Sequence, residues 1–276
     1  MKIRRALPED SFFRAPQLGG SLKKEFYNSL SHIFRGPLMG AAGYVDYLFK
    51  GYAGPLTAEQ LKQLARVRES IGRLAGVTDA FLDLAAFDLG LIHPACCRSD
   101  VRSMLESMAA DMAPEARRHF PHHMSGKHDG VSSKPLLLDI SIPAKPLFVD
   151  MDFHWLQTLL RELSANAVLL AKDKGSISIS ARPYRGKAEI TIFCSASILE
   201  PGEKPRLFRP FYRLPERIYP QGGRRGGLGM SLVRRIIALH GGAVKTDWRG
   251  KTGFKITLTL NCAPAPCLGK PPRATR

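Results

Sequence analysis

His32 has the side chain of this sequence that is best suited to covalent chemistry. The stretch around it predicts a helix, because four apolar residues recur at a spacing of four: Phe26, Leu30, Phe34 and Leu38. His32 falls off that apolar face, and Arg35 follows it at i+3. A neutral imidazole is a good nucleophile near pH 7, since its unperturbed pKa is about 6.5, and it can carry a phosphoryl group. A solvent-exposed histidine without a role is the alternative interpretation.

Two long helices are expected to display this histidine. The first spans about 21–49, and a turn containing Gly and Pro separates it from the second. Thr57 caps the second helix with Gln60 as its capping-box partner, and Gly90 is the expected C-cap. Steps of three and four predict a coiled-coil-like seam along it: Leu64, Val67, Ile71, Leu74, Thr78, Phe81 and Ala85.

Two helices of this kind cannot bury both of their faces alone. We therefore expect a homodimer in which a second copy completes a four-helix bundle. The alternative is that another domain of the same chain covers the seam.

The second half of the chain has the alternating pattern of an α/β domain. Strands are predicted at 136–142, 176–181, 188–194, 243–248 and 254–260. Helices are predicted at 152–172 and 228–240, and Arg185-Gly186 is the expected turn of a hairpin. We expect four parts: a flexible arm at 1–21, a helical hairpin at 22–90, an α/β sandwich at 91–261 and a basic, Pro-rich tail at 262–276.

The region 91–135 is mixed in pattern. Its apolar residues from Val101 to Met112 predict a helix. Four histidines follow this helix: His119, His122, His123 and His128. They could include metal ligands, but no regular element would hold them in place, so we interpret the stretch as a solvated loop. The five cysteines form no C-x-x-C pair and indicate a reduced, cytoplasmic compartment. We expect the vicinal Cys96 and Cys97 to be small core residues rather than a redox pair.

The formal charge of +17 indicates an anionic partner. Nucleic acid is disfavoured, because Lys and Arg are spread along the chain rather than gathered on one helix among aromatic residues. No apolar run approaches the ~20 residues of a membrane span, and no apolar core follows the basic N-terminus as in a signal peptide. A membrane sensor would have to be another chain.

The residues around His32 resemble the H-box of the two-component sensor histidine kinases. The shared pattern is Ser31-His32-x-x-Arg35-x-Pro37-Leu38, and it continues into a hairpin at 44–90 and an ATP-binding domain at 152–260. The resemblance implies that His32 is the phosphoacceptor, that Arg35 acts beside it, and that the partner is a response-regulator receiver domain. Such receivers present an acidic pocket, which suits the positive charge of this chain.

Two H-box positions depart from the family pattern. Ile33 replaces the acidic residue that helps to activate the imidazole for attack on ATP. Gly36 replaces the Thr or Asn that, in the family, supports dephosphorylation of the partner.

The N-box of the family is recognisable at 162–167. Glu162 and Asn166 lie one turn apart on one face of a predicted helix. The resemblance implies that Asn166 would reach Mg²⁺ and that Glu162 would occupy the polar position before it, if ATP is used. The following family positions are poorer, because Leu169 replaces a basic residue and Ala171 replaces Thr.

The G1 box is the largest departure from the family. Its pattern Asp-x-Gly-x-Gly falls on 194–198, where Cys194 replaces the carboxylate that accepts the adenine amino group. Ala196 and Ile198 replace the glycines that let the backbone close on the nucleotide. A site built to pair with an adenine amine loses most of its discrimination without that partner.

The F-box and the G2 box are better preserved. The F-box spans 206–213 and contains Phe208, although its aromatic residues could simply be core. Gly227 and Gly229 of the G2 box could cradle phosphate at a helix start, while Arg225 stands at the first glycine position.

Autophosphorylation needs several parts that are altered here together: Ile33, Cys194, Ala196 and Ile198. The favoured interpretation is a degenerate histidine kinase that acts as a histidine phosphotransferase in a phosphorelay. A receiver supplies its own Mg²⁺ and Lys, so an accessible His32 can exchange a phosphoryl group with it without ATP. The alternatives are an ATP-dependent histidine kinase with an unusual pocket, which would use ATP and Mg²⁺, and a non-catalytic module that binds a kinase or regulator. An upstream sensor or kinase chain is a further potential partner.

Overall fold

The computed structural model describes residues 19–119, 137–171, 175–195, 205–213, 226–248 and 253–263. They fall into two compact units, one drawn from residues 1–93 and 206–232 and the other from 94–205 and 233–276. The first unit contains a helical hairpin and the second an α/β sandwich, as the sequence predicts. In the described residues, no helix has the length and apolar character needed to cross a membrane.

The helical hairpin consists of α1 (Gly20–Phe49) and α2 (Ala58–Leu89). Both ends of α2 form as predicted. The Thr57 side chain accepts from the Gln60 backbone N–H, the Gln60 side chain accepts from the Thr57 N–H, and Gly90 closes the helix in the left-handed conformation at φ 72°. Pro37 lies inside α1 and has no N–H to donate to the carbonyl of Ile33.

A strong gradient of burial runs along α2. The C-terminal part of the helix is buried, for example at Leu82, Leu84 and Ala85. Toward the N-terminus the predicted seam is open, with Val67 exposed at 47% and Leu74 at 55%. Apolar side chains at this exposure on a regular seam are an unusual feature of a soluble surface.

The described strands of the second unit form one seven-stranded sheet in the order β1-β3-β7-β5-β4-β2, with β6 also paired to β7. The β2–β4 pair is parallel and every other pair is antiparallel. The strands are β1 (Cys96–Asp100), β2 (Leu137–Ser141), β3 (Phe148–Asp152), β4 (Ser176–Tyr184), β5 (Lys187–Ser195), β6 (Ala243–Trp248) and β7 (Gly253–Ala263).

The β4–β5 hairpin turns at Arg185-Gly186, as predicted. Both residues have positive φ, 50° and 75°, which is the geometry of a two-residue type I′ connection. Along the strands, alternate residues such as Ile177, Ile179 and Ile192 are buried, so one face of the sheet builds the core.

Two helices cover this buried face. They are α3 (Val101–His119) and α4 (Phe153–Leu170), which pack against each other. The buried Ser164 hydroxyl of α4 donates to the Met108 carbonyl of α3 at 3.2 Å and so fixes their relative register. A further helix, α5 (Gly229–Leu239), precedes β6.

Asp152 starts α4 and ties three segments together. Its Oδ1 accepts from the backbone N–H groups of His154 and Trp155, and its Oδ2 accepts from Ala95 N–H at 2.7 Å. The Asp152 N–H donates to His240 Nε2 at 3.0 Å. Burial alone would raise the pKa of Asp152, but these N–H donors and the nearby His240 outweigh it and lower the pKa.

The structure corrects two predictions and adds two strands. His119 is the last residue of α3 rather than part of a solvated loop. Cys96 and Cys97 are exposed on β1 rather than part of the core, because β1 lies at the sheet edge and pairs only with β3 among the described strands. Neither β1 nor β3 is evident in the sequence pattern. His122, His123 and His128, and most of the predicted arm and tail, lie outside the described residues.

Candidate functional site

His32 lies exposed on α1, one turn before the helical Pro37. Its neighbour Ser31 points its hydroxyl back to the Tyr27 carbonyl at 2.9 Å. Among the described residues, none hydrogen-bonds to the His32 ring. An unpaired, exposed imidazole can approach the phosphorus of a partner from outside, with no local bond to break first.

Arg35 lies on the same side of α1 as His32 and forms an ion pair with Asp79 of α2. Its Nη2 and Nε atoms are each 3.4 Å from the carboxylate Oδ1. Both side chains are about half exposed, at 48% and 51%. The pair links the two helices beside the candidate nucleophile.

The neighbouring apolar residues are only partly covered within one chain. Phe34 meets Phe81 of α2 edge to face, with ring centroids 6.0 Å apart. Ile33, at the position of the family's acidic residue, is 64% exposed. The residue directly after His32 is therefore not a carboxylate, so His32 has no general base next to it in the sequence.

Glu162 and Asn166 occupy one face of α4, as predicted. Glu162 is buried and Asn166 is half-buried. The Asn166 side-chain amide donates to the Glu162 carbonyl at 2.6 Å, which leaves its oxygen available as a hard ligand. The Asn166 side-chain oxygen therefore fits the magnesium-ligand role that the resemblance implies, and Glu162 keeps the polar position one turn before it.

Cys194 does not fit the role of an adenine acceptor. It lies near the end of β5 with no solvent exposure, and its thiol points at the Ala167 carbonyl of α4 at 3.5 Å. Burial raises the pKa of this thiol to about 12, so it carries no charge near neutral pH. Ala196 and Ile198 lie outside the described residues.

The F-box and G2 segments belong to the first unit and touch each other closely. A side chain at Gly227 (φ 85°) would place its Cβ only 2.5 Å from the Tyr212 carbonyl oxygen, so this position requires glycine. Gly226 lies beside Val77 of α2, whose Cγ2 would be 3.1 Å from an added Cβ. Phe208 is half-buried in the F-box turn, and Gly229 begins α5.

Two family models match the chain. Residues 22–90 match the His Kinase A (phospho-acceptor) domain, and residues 151–264 match the histidine kinase-, DNA gyrase B- and HSP90-like ATPase domain. The first match places His32 in a phospho-acceptor hairpin. The chain belongs to the histidine kinase family.

Its relatives include histidine kinases of several bacteria. The histidine protein kinase DivJ of Caulobacter vibrioides is 24% identical over 91% of this chain and 39% of DivJ. The circadian input-output histidine kinase CikA of Synechococcus elongatus is 24% identical over 88% of this chain and 30% of CikA. The chain thus spans less than half the length of these curated relatives.

Solved histidine kinase structures share the fold. Full-length ShkA, solved in complex with AMPPNP, has a TM-score of 0.69 at 23% identity, over 87% of this chain and 46% of ShkA. The Acinetobacter baumannii histidine kinase AdeS has a TM-score of 0.53 at 16% identity, over 83% of this chain and 97% of AdeS.

The predicted site residues divide between the two units. His32, Arg35, Phe208, Gly227 and Gly229 belong to the first unit, and Glu162 and Asn166 belong to the second. Their roles stay predictions. The sequence did not indicate Asp79 or Val77 as site residues. Asp79 pairs with Arg35 and Val77 lies against Gly226, and both contacts join residues that are distant in the sequence.

Proposed function

We propose that this chain is a histidine phosphotransferase of a phosphorelay, in which His32 exchanges a phosphoryl group with the aspartate of a response-regulator receiver. The unprotonated imidazole nitrogen forms the P–N bond while the P–O bond of the receiver's acyl phosphate breaks. The receiver carboxylate leaves with that electron pair, and the other ring nitrogen keeps its proton. The observation that carries the proposal is the exposed, unpaired ring of His32 on α1.

The state of Cys194 supports transfer from a receiver rather than from ATP. A neutral thiol buried against a backbone carbonyl gives the adenine amino group no charged acceptor. A nucleotide site that loses such a partner loses affinity and discrimination. Transfer between His32 and a receiver needs only positioning and the receiver's own cation.

A homodimer is part of this proposal. The α2 seam is open in the single chain at Val67 and Leu74, and Ile33 of α1 is exposed too. A second hairpin would cover these side chains in a four-helix bundle. The dimer would present one His32 on each chain to a receiver.

An ATP-dependent histidine kinase is the second candidate. The Asn166 side-chain oxygen is available as a magnesium ligand, Glu162 lies one turn before it, and the two relatives compared above are named histidine kinases.

Labelling from two donors separates the candidates. The whole chain is incubated either with γ-labelled ATP and Mg²⁺ or with a panel of receiver domains carrying labelled acyl phosphate, and acid-labile, base-stable label is mapped to His32. We expect label from at least one receiver and none from ATP. Label from ATP at His32 would contradict the phosphotransferase and establish the kinase.

A further inference from the structure

The ion pair between Arg35 and Asp79 lies one helical turn from His32. Two guanidinium nitrogens approach the same carboxylate oxygen at 3.4 Å, which is longer than the roughly 2.7–2.9 Å of a strong charge-assisted bond. Both side chains are half exposed to water. Exposed pairs of this kind are weak, so the guanidinium can leave Asp79 for a more highly charged anion.

Arg35 is the cation nearest to His32 along the sequence of α1. Side chains three and four positions apart on a helix lie side by side, and for His32 these are Asn28, Ser29, Arg35 and Gly36. On α2, Asp79 is the acidic residue that reaches Arg35, and Asp83 follows one turn later.

Phosphorylation would change the charge beside Arg35. A phosphoryl group brings between one and two negative charges and three acceptor oxygens to the ring. Arg binds phosphoryl oxygens through its planar fork of N–H groups, and a dianion attracts it more strongly than a single carboxylate does.

We propose that Arg35 has two partners in turn: Asp79 while His32 is unmodified, and the phosphoryl group once His32 carries it. Asp79 is then a positioning residue, because it competes with the phosphoryl group for one guanidinium and so lowers the stability of the phosphorylated form. The inference rests on His32 being the phosphoacceptor. It adds Asp79 of α2 as a residue whose contact with Arg35 depends on whether His32 is phosphorylated.

The test loads His32 chemically, so that it needs neither ATP nor a receiver. The whole chain is treated with potassium phosphoramidate, and the second pKa of the phosphoryl group is measured by ³¹P NMR titration. The His32→Gln variant assigns the signal, because it removes that resonance and leaves those of other histidines. The compared chains are wild type, Asp79→Asn, Asp79→Glu, Arg35→Ala and the double variant Arg35→Ala/Asp79→Asn.

We expect Asp79→Asn to lower the phosphoryl pKa by about 0.2–0.7 unit, because a released Arg35 favours the dianion. Asp79→Glu keeps the competing charge and stays close to wild type. When Arg35 is already replaced by Ala, we expect Asp79→Asn to lower the phosphoryl pKa by less than half as much as it does in wild type. A residue with a merely structural role would give the same shift with or without Arg35.

Equal pKa values in wild type and Asp79→Asn, or an equal shift in both backgrounds, would overturn the inference. Failure of the proposed function looks different. If the chemically phosphorylated variants behave as expected but no receiver exchanges its phosphoryl group with His32, the phosphotransferase is wrong and the exchange of partners by Arg35 stands.

Discussion

At the scale of single residues, burial decides what Cys194 can do. Its thiol lies in the sheet core and its pKa is raised to about 12, so the position is neutral at physiological pH. Sequence reasoning located this substitution, because the chain offers no carboxylate at that place in the order of motifs. It could not give the thiol's partner, the Ala167 carbonyl, which is distant in sequence.

The raised pKa of Cys194 predicts a loss of stability in alkali. In the unfolded chain the thiol releases its proton near its ordinary pKa of 9.0, whereas the folded chain holds the proton to about 12. Stability from this group is therefore complete below pH 9 and is lost as the pH rises toward 12, at about 1.4 kcal/mol per unit.

Urea unfolding at pH 8 and pH 10.5 measures this effect. Cys194→Ser has no titrating thiol there, so we expect it to lose less stability between the two pH values than wild type, by roughly 2 kcal/mol. Equal losses in the two chains would show that the thiol is not buried as described.

Asp152 gives a second prediction at this scale. Asp152→Ala removes the N-cap of α4 and should cost about 0.5–2 kcal/mol of unfolding free energy. Since folding lowers the pKa of this carboxyl, its contribution is present above the ordinary value of 3.8 and is lost as the pH falls further.

Denaturation at pH 7 and pH 3 checks the Asp152 prediction. Asp150→Ala is the matched control. Asp150 is exposed on the same strand, and its ion pair with Arg98, at a long 3.8 Å, is weak. The account is contradicted if Asp150→Ala costs as much as Asp152→Ala, or if the cost is the same at both pH values.

At the level of helices, strands and turns, the sequence predicted those features that depend only on neighbouring residues. The Thr57–Gln60 capping box, the Gly90 C-cap and the Arg185-Gly186 turn were all predicted, because each depends on neighbours within a few residues. The strands β1 and β3 were not predicted. Each is short and forms by pairing with a strand that is distant in the sequence.

The capping box of α2 can be tested directly. Thr57→Ala removes the side-chain acceptor for the Gln60 N–H and should lower the stability of the hairpin by about 1 kcal/mol. Ser70→Ala is the control in the same helix. In the described part of the chain, the Ser70 hydroxyl makes only exposed contacts within α2, donating to the Arg66 carbonyl and accepting from the Arg73 side chain, and Ala is a better helix former. Thermal unfolding that ranks Ser70→Ala below Thr57→Ala would contradict this account of the cap.

At the scale of the whole molecule, the open seam of α2 predicts self-association. Leu74→Glu places a charge where a second copy would pack and should shift the chain toward monomer by at least about tenfold in dissociation constant. Ser70→Glu, exposed on the same helix but off the seam, should leave the dimer unchanged.

Analytical ultracentrifugation over a range of concentrations measures both variants. A wild-type chain that stays monomeric, or a dimer whose dissociation constant is unchanged by Leu74→Glu, would contradict the predicted four-helix bundle. The sequence indicated the seam through its spacing, but whether it is covered depends on a second chain.

Transfer of a phosphoryl group to His32 in the absence of any nucleotide tests the proposed phosphotransferase activity. The chain is depleted of nucleotide with apyrase and mixed with a receiver domain that carries labelled acyl phosphate, and wild type is compared with His32→Gln. We expect label to move to wild type and not to His32→Gln, and we expect added ATP to leave the transfer unchanged. Transfer that requires ATP, or that continues in His32→Gln, would contradict the proposed activity.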